Sequence, residues 1–218
     1  MAVLRTLGTI VVAAATTWFT MWALGLALPF LAEPAVLLVV LVVVAVQALI
    51  AGILASYDLG RVGHWLILVV DHTWSLLNTV FGGIVGNLIY PFVGRPSRAD
   101  SAGRTWIVYM PRSTSGFGTD VLQTVGIVNL GGAGQHERMH LLQSRAFGPT
   151  YLPLFAVFYV VTALLAILFA PLGALLKAAH RRDTWYLRPP AKSAVQGFFG
   201  WIYYATPFEL WAYASGNP

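Results

Sequence analysis

Five long apolar runs limit what this chain can fold into. They lie at about 6–30, 35–56, 64–92, 150–176 and 194–214. Lipid gives a backbone no hydrogen-bond partners, so a chain crossing it must be helical or form a closed barrel. Roughly 20 apolar residues are enough for a helix to span. Composition agrees: 58% of residues are hydrophobic and 10% charged, against about a quarter charged in soluble domains. The predicted fold is an all-α polytopic membrane protein with about five transmembrane helices, forming one membrane domain over 1–218. A small extramembrane α/β insertion at 93–148 interrupts it. The first run, Thr6 to Phe30, is longer than the apolar core of a cleaved signal peptide and is read as a retained span.

The runs differ in character. In 35–56 the strongly polar exception is Gln47, and Pro34 suits the first turn of that helix. The third run carries Asp71, His72, Thr73, Ser75 and Asn78, together with Gly82, Gly83 and Gly86. Ionisable groups at membrane depth are costly and face the protein interior or a water-filled cavity. The glycines predict close helix approach, and a re-entrant path is the rival to a full span. Within the insertion, 105–110 is expected to be a strand and 111–118 a loop. Asp120 to Leu130 is a second strand or the approach to a helix. Gly131, Gly132 and Gly134 lack the spacing and lysine of a phosphate loop.

A helix is predicted from about 133 to 147, stopped by Gly148-Pro149. It contains His136-Glu137-Arg138-Met139-His140, the pattern H-E-x-x-H. Residues four apart share a helix face, so His136 and His140 can present two imidazoles to one metal ion. Glu137 is then placed to hold a water on that metal. The chain has no cysteine, so a zinc site must be built from histidine and carboxylate. Glu209, one of three glutamates, sits in the apolar stretch 207–213. A buried carboxylate is costly unless paired or coordinating, which makes Glu209 a candidate third ligand.

The net charge of +5 comes from 11 Arg and 2 Lys against eight acidic residues. Lys177, His180, Arg181, Arg182, Arg188 and Lys192 form the strongest cytoplasmic-loop signal. With that loop inside, the last two spans form a hairpin that returns Glu209 to the side of His136 and His140. No basic stripe with interleaved aromatics marks a nucleic-acid surface.

The segment 136–140 together with Glu209-x-x-Ala212 resembles the integral-membrane gluzincin metallopeptidases, the class that includes the CAAX-prenyl proteases. A longer stretch, His136-Glu137-x-x-His140-x-x-Gln143-Ser144-Arg145 with Gly148-Pro149-x-Tyr151-Leu152, also resembles small bacterial membrane proteins. The motifs cover about a quarter of the chain. Arg138 and Tyr213 depart from the gluzincin pattern, which has an uncharged residue and Asp at these places. The resemblance implies Zn²⁺ on His136, His140 and Glu209, with Glu137 as base, in a bacterial inner (cytoplasmic) membrane. Tyr213, His72 and Arg145, in that order, are candidate donors to the oxyanion of peptide hydrolysis. The strand at 105–110 is a candidate edge for an extended peptide.

Partners on this reading are membrane lipids and a membrane-proximal peptide. A different class is a non-catalytic accessory or assembly subunit that packs against partner membrane subunits, a degenerate zincin scaffold. A third is a small transporter with a proton path through Asp71, His72 and Glu209, which lacks evident repeat symmetry.

Overall fold

Thr9, Ala13, Thr17 and Met21 recur every four residues along α1 (Ala2–Gly25), and these four are its buried positions. The stripe packs on α2 (Pro34–Ile53), which buries Val44, Gln47, Ala48, Ala51 and Gly52. Small residues let the two backbones close up: a Cβ on Gly52 would meet Thr6. The remaining faces stay apolar and open, as Trp18, Trp22, Leu38 and Val42 illustrate. The computed structural model describes residues 2–112, 123–131, 134–180 and 194–215. The chain divides into two units, Met1–Pro149 and Thr150–Pro218.

Among the described residues four helices are long and apolar enough to cross a membrane. They are α1, α2, α4 (Leu76–Val93) and a stretch within Gln135–Leu168 whose apolar part belongs to α7 (Tyr151–His180). By length and composition they mark a membrane protein. The expected third span, 64–92, is not one helix. It breaks after α3 (Val62–His72), and α4 starts at Leu76. At 11 residues, α3 is about 16 Å long, half the hydrocarbon thickness. The break has a polar cause. The Thr73 hydroxyl donates to the Val69 carbonyl at 2.7 Å, and the Ser75 N–H donates to that of Val70 at 2.8 Å. Ser75 and Asn78 then turn to a distant helix end, described below.

The region 93–131 folds against these helices. Its sheet has the order β1-β2-β4-β3, with β1 Gly94–Pro96, β2 Ile107–Pro111, β3 Gln123–Val125 and β4 Val128–Leu130. A single helical turn, α5 (Arg98–Ser101), lies between β1 and β2. β1 and β3 are antiparallel to their neighbours, whereas β2 and β4 run parallel. The strand expected at 105–110 is therefore interior, and among the described residues β3 is the outer strand beside β4. Trp106, Ile107, Val108, Ile127 and Val128 are buried in one core with Ala51, Leu68, Tyr90 and Leu141. The insertion thus shares the core of the first unit.

The α4 glycines receive that sheet as well as a helix. A Cβ on Gly83 would strike Gln47 and Val43 of α2, as close helix packing requires. One on Gly82 would meet the Val125 carbonyl, and one on Gly86 the Val128 side chain. The turn joining β3 to β4 has Gly126 at φ +58°, pressed on the Asn78 carbonyl, where only glycine fits both the dihedral and the gap.

α6 (Gln135–Phe147) closes the first unit. In the second unit α7 is followed by α8 (Ala194–Ala205) and α9 (Pro207–Ala214). The expected span at 194–214 is therefore two helices of 12 and 8 residues, each too short to cross. Thr206 makes the break. Its hydroxyl turns back to the Ile202 carbonyl at 2.7 Å, and Pro207 opens the next helix. Arg181, Arg182, Arg188 and Lys192 of the basic cluster lie outside the described residues, as do 113–118 and Gly132.

Candidate metal centre

α6 begins at Gln135 and stops at Gly148, which adopts φ +53° with its Cα against the Trp74 ring. The helix buries His136, Glu137, His140, Leu141, Gln143 and Ser144, and leaves Arg138 exposed. The charged departure at Arg138 therefore lies on the face away from the histidines.

Three groups hold the far end of this helix. The Asn78 side-chain amide donates to the Ser144 carbonyl at 2.9 Å and the Gly148 carbonyl at 2.7 Å. The Ser75 hydroxyl donates to the Ser144 carbonyl at 3.0 Å. The Ser144 carbonyl also accepts from the Gly148 N–H, whereas carbonyls beyond the last full turn lack intrahelical partners, and Asn78 supplies one to Gly148. Arg145 completes the clamp. Its guanidinium donates to both Asp71 oxygens, at 2.7 and 2.8 Å. It also donates to Thr105 Oγ1 at 3.0 Å and to the Thr105 carbonyl at 2.6 Å. Thr105 has φ +60°, a strained conformation for a β-branched residue, and Arg145 secures it. The Tyr57 hydroxyl donates to Asp71 at 2.6 Å. Burial above all, and then the Asp71 charge, push the Tyr57 phenol well above its usual value, so it remains a donor. Asp71 and Arg145 are thus committed to each other, which removes Arg145 as an oxyanion donor.

On the buried face, His140 Nδ1 lies 2.9 Å from Gln143 Oε1. An amide oxygen only accepts, so Nδ1 carries the proton and Nε2 is the lone-pair nitrogen of the ring. His140 Nε2 is 3.1 Å from His136 Nε2. Two nitrogen ligands about 2.05 Å from a tetrahedral zinc stand about 3.3 Å apart, so the pair has the spacing of joint ligands. Glu137 lies beside them, with Oε1 3.9 Å from His136 Nε2. Its Oε2 accepts from the Thr124 hydroxyl at 2.5 Å, and Thr124 Oγ1 accepts from Asn129 Nδ2 at 3.1 Å.

In the second unit Glu209 occupies the first turn of α9 and is 2% exposed. The Tyr159 hydroxyl donates to its Oε1 at 3.4 Å. Its neighbour Phe208 fixes α9 by packing on Tyr151, Phe155 and Phe158. Tyr213, one turn further on, packs against Tyr204 with ring centroids 5.2 Å apart and planes tilted by 49°. The buried His136, His140 and Glu209 make a group that could hold a metal ion, each offering one ligand atom. Two imidazoles and one carboxylate suit a borderline divalent ion with a fourth position left for water. His72 does not belong to this group. It is buried at the end of α3 with Nδ1 on the Leu68 carbonyl at 2.8 Å.

Thr124, Asn129, Thr105 and Tyr57 had no motif to announce them. Asn129 alone carried a signal, as an amide in an otherwise apolar strand. Comparison with protein-family models, with curated proteins and with solved structures finds no match.

Proposed function

We propose that this protein is a membrane-embedded zinc-dependent metallopeptidase that hydrolyses a membrane-proximal peptide bond. The observation that carries the reading is the His136–His140 pair, with facing Nε2 atoms 3.1 Å apart and one tautomer set by Gln143. His136, His140 and Glu209 are the proposed zinc ligands. When bound, zinc supplies Lewis-acid polarisation of the substrate carbonyl and lowers the pKa of a water molecule. Glu137 takes one proton from the attacking water, whose oxygen adds to the carbonyl carbon. As the C–N bond breaks, the same carboxyl returns the proton to the leaving amine. The Oε2 atom accepts from Thr124, and Oε1, on the side of His136, is the oxygen proposed for this work. An extended substrate would pair with the outer edge of β3, the strand that carries Thr124, in place of the interior β2. Tyr213 is the proposed oxyanion donor. The proposed location is a bacterial cytoplasmic membrane.

Metal analysis by mass spectrometry on detergent-purified protein tests the reading. About one zinc per chain is expected, lost in His140→Ala and kept in Glu137→Gln, which should hydrolyse no peptide. Metal-free wild-type protein would point to the non-catalytic subunit in its place.

A further inference from the structure

The peptide groups of β4 alternate in direction. The Ile107 N–H donates to the Ile127 carbonyl, and the Gly131 N–H to the Tyr109 carbonyl, both at 2.8 Å. Residues 127, 129 and 131 therefore address β2, and by alternation Val128 and Leu130 address β3. Their partners are Val125 and Gln123. Thr124 is opposite Asn129, in the pair that exchanges no backbone bonds. Its own N–H and C=O consequently point outward, along the edge where no described strand lies. Its side chain points the other way in function. The hydroxyl donates to Glu137 Oε2, and is itself oriented by the Asn129 amide. Asn129 can only donate from Nδ2, so Thr124 Oγ1 must accept there and spend its single proton on α6. The same hydroxyl lies 3.4 Å from the Glu137 carbonyl, within the same grip.

From this we infer that Thr124, oriented by Asn129, is a positioning residue. It couples occupancy of the β3 edge by an extended peptide to the aim of the Glu137 carboxylate. The inference rests on the metallopeptidase reading for the word substrate, but not for the contact. One residue offers its backbone to the incoming strand and its hydroxyl to the base. A strand that adds to β3 fixes Thr124, and through it holds the Glu137 carboxylate at Oε2. Gly126 and Gly82 leave the hairpin no slack beneath it, because the backbones already touch there.

The test uses full-length protein in detergent as wild type, Thr124→Val and Thr124→Ser. Three quantities are read: infrared carboxylate bands of Glu137, isolated by subtracting Glu137→Gln spectra; zinc content; and hydrolysis of a fluorogenic unfolded casein. In Thr124→Val the Glu137 bands should shift, with zinc content unchanged. Hydrolysis should show a kcat lowered on the order of ten- to a hundredfold at similar KM, the usual effect of losing a supporting contact. Thr124→Ser, which restores the hydroxyl, should match wild type in all three. Unshifted bands in Thr124→Val would overturn the inference, as would Thr124→Ser failing like Thr124→Val. Loss of zinc in Thr124→Val would also overturn it, since Thr124 would then serve the fold. A zinc-free wild type defeats the metallopeptidase reading separately, and the band shift alone then decides the Thr124 contact.

Discussion

At the scale of single residues, Gln143 decides how His140 can act. It is fully buried, and its amide oxygen holds the proton on Nδ1. A ligand histidine fixed in this way is more basic at its other nitrogen and loses less freedom on binding. Gln143→Met keeps the volume but not the acceptor, and zinc affinity should fall about ten- to a hundredfold in a chelator competition. Gln143→Glu keeps an acceptor and should bind at least as tightly. Equal affinity in Gln143→Met would show that the bond does not orient the ligand. Gln47 shows the opposite case. It is fully buried between α2 and α4, and neither amide atom has a partner among the described residues. An unsatisfied buried amide costs about 1–3 kcal/mol. Gln47→Met should therefore raise the thermal midpoint in detergent, and a lower midpoint would mean that the amide is satisfied after all.

Elements are set by contacts that sequence patterns reveal unevenly. The motif helix was legible because its cause is local: histidines four apart, then Gly148-Pro149 as a stop. The strand near 107–111 was legible from its β-branched and aromatic run, but its interior place in the sheet was not. That place depends on β4, which joins it in parallel from across the hairpin. The break between α3 and α4 was hidden inside a continuous apolar run. Its local cause is the pair of bonds from Thr73 and Ser75 back to Val69 and Val70, and the capping of Gly148 by Asn78 that follows it spans 70 residues. The sequence places Arg145 among the candidate oxyanion donors and cannot show its partner Asp71, which is 74 residues distant. That buried pair yields a sharp expectation. Asp71→Asn leaves the Arg145 charge uncompensated, which typically costs about 3–5 kcal/mol. Most of the loss should be recovered in the double variant Asp71→Asn with Arg145→Met. Unfolding by SDS titration measures both, and additive losses in the double variant would argue against the pairing as the source.

For the molecule as a whole, the proposed ligand set is two histidines on α6 and one carboxylate on α9. The sequence singles out the three residues that the fold gathers into one buried group, since H-E-x-x-H and an isolated glutamate in an apolar stretch are each unusual in so uncharged a chain. It could not reach the environment of each donor, which tertiary contacts supply. A ligand that binds only the folded state raises stability by RT ln(1 + [L]/Kd), about 2.7 kcal/mol at a hundredfold excess over Kd. Added zinc should thus raise the thermal midpoint of the wild type, and a chelator should return it. His140→Ala must lose that response if α6 holds the metal. Glu209→Ala separates the possibilities further. A lost response would place the carboxylate among the ligands, so that one ion ties the stability of α9 to that of α6. A full zinc response in Glu209→Ala, with none in His140→Ala, would confine the site to the motif helix and leave Glu209 as a buried acid held by Tyr159.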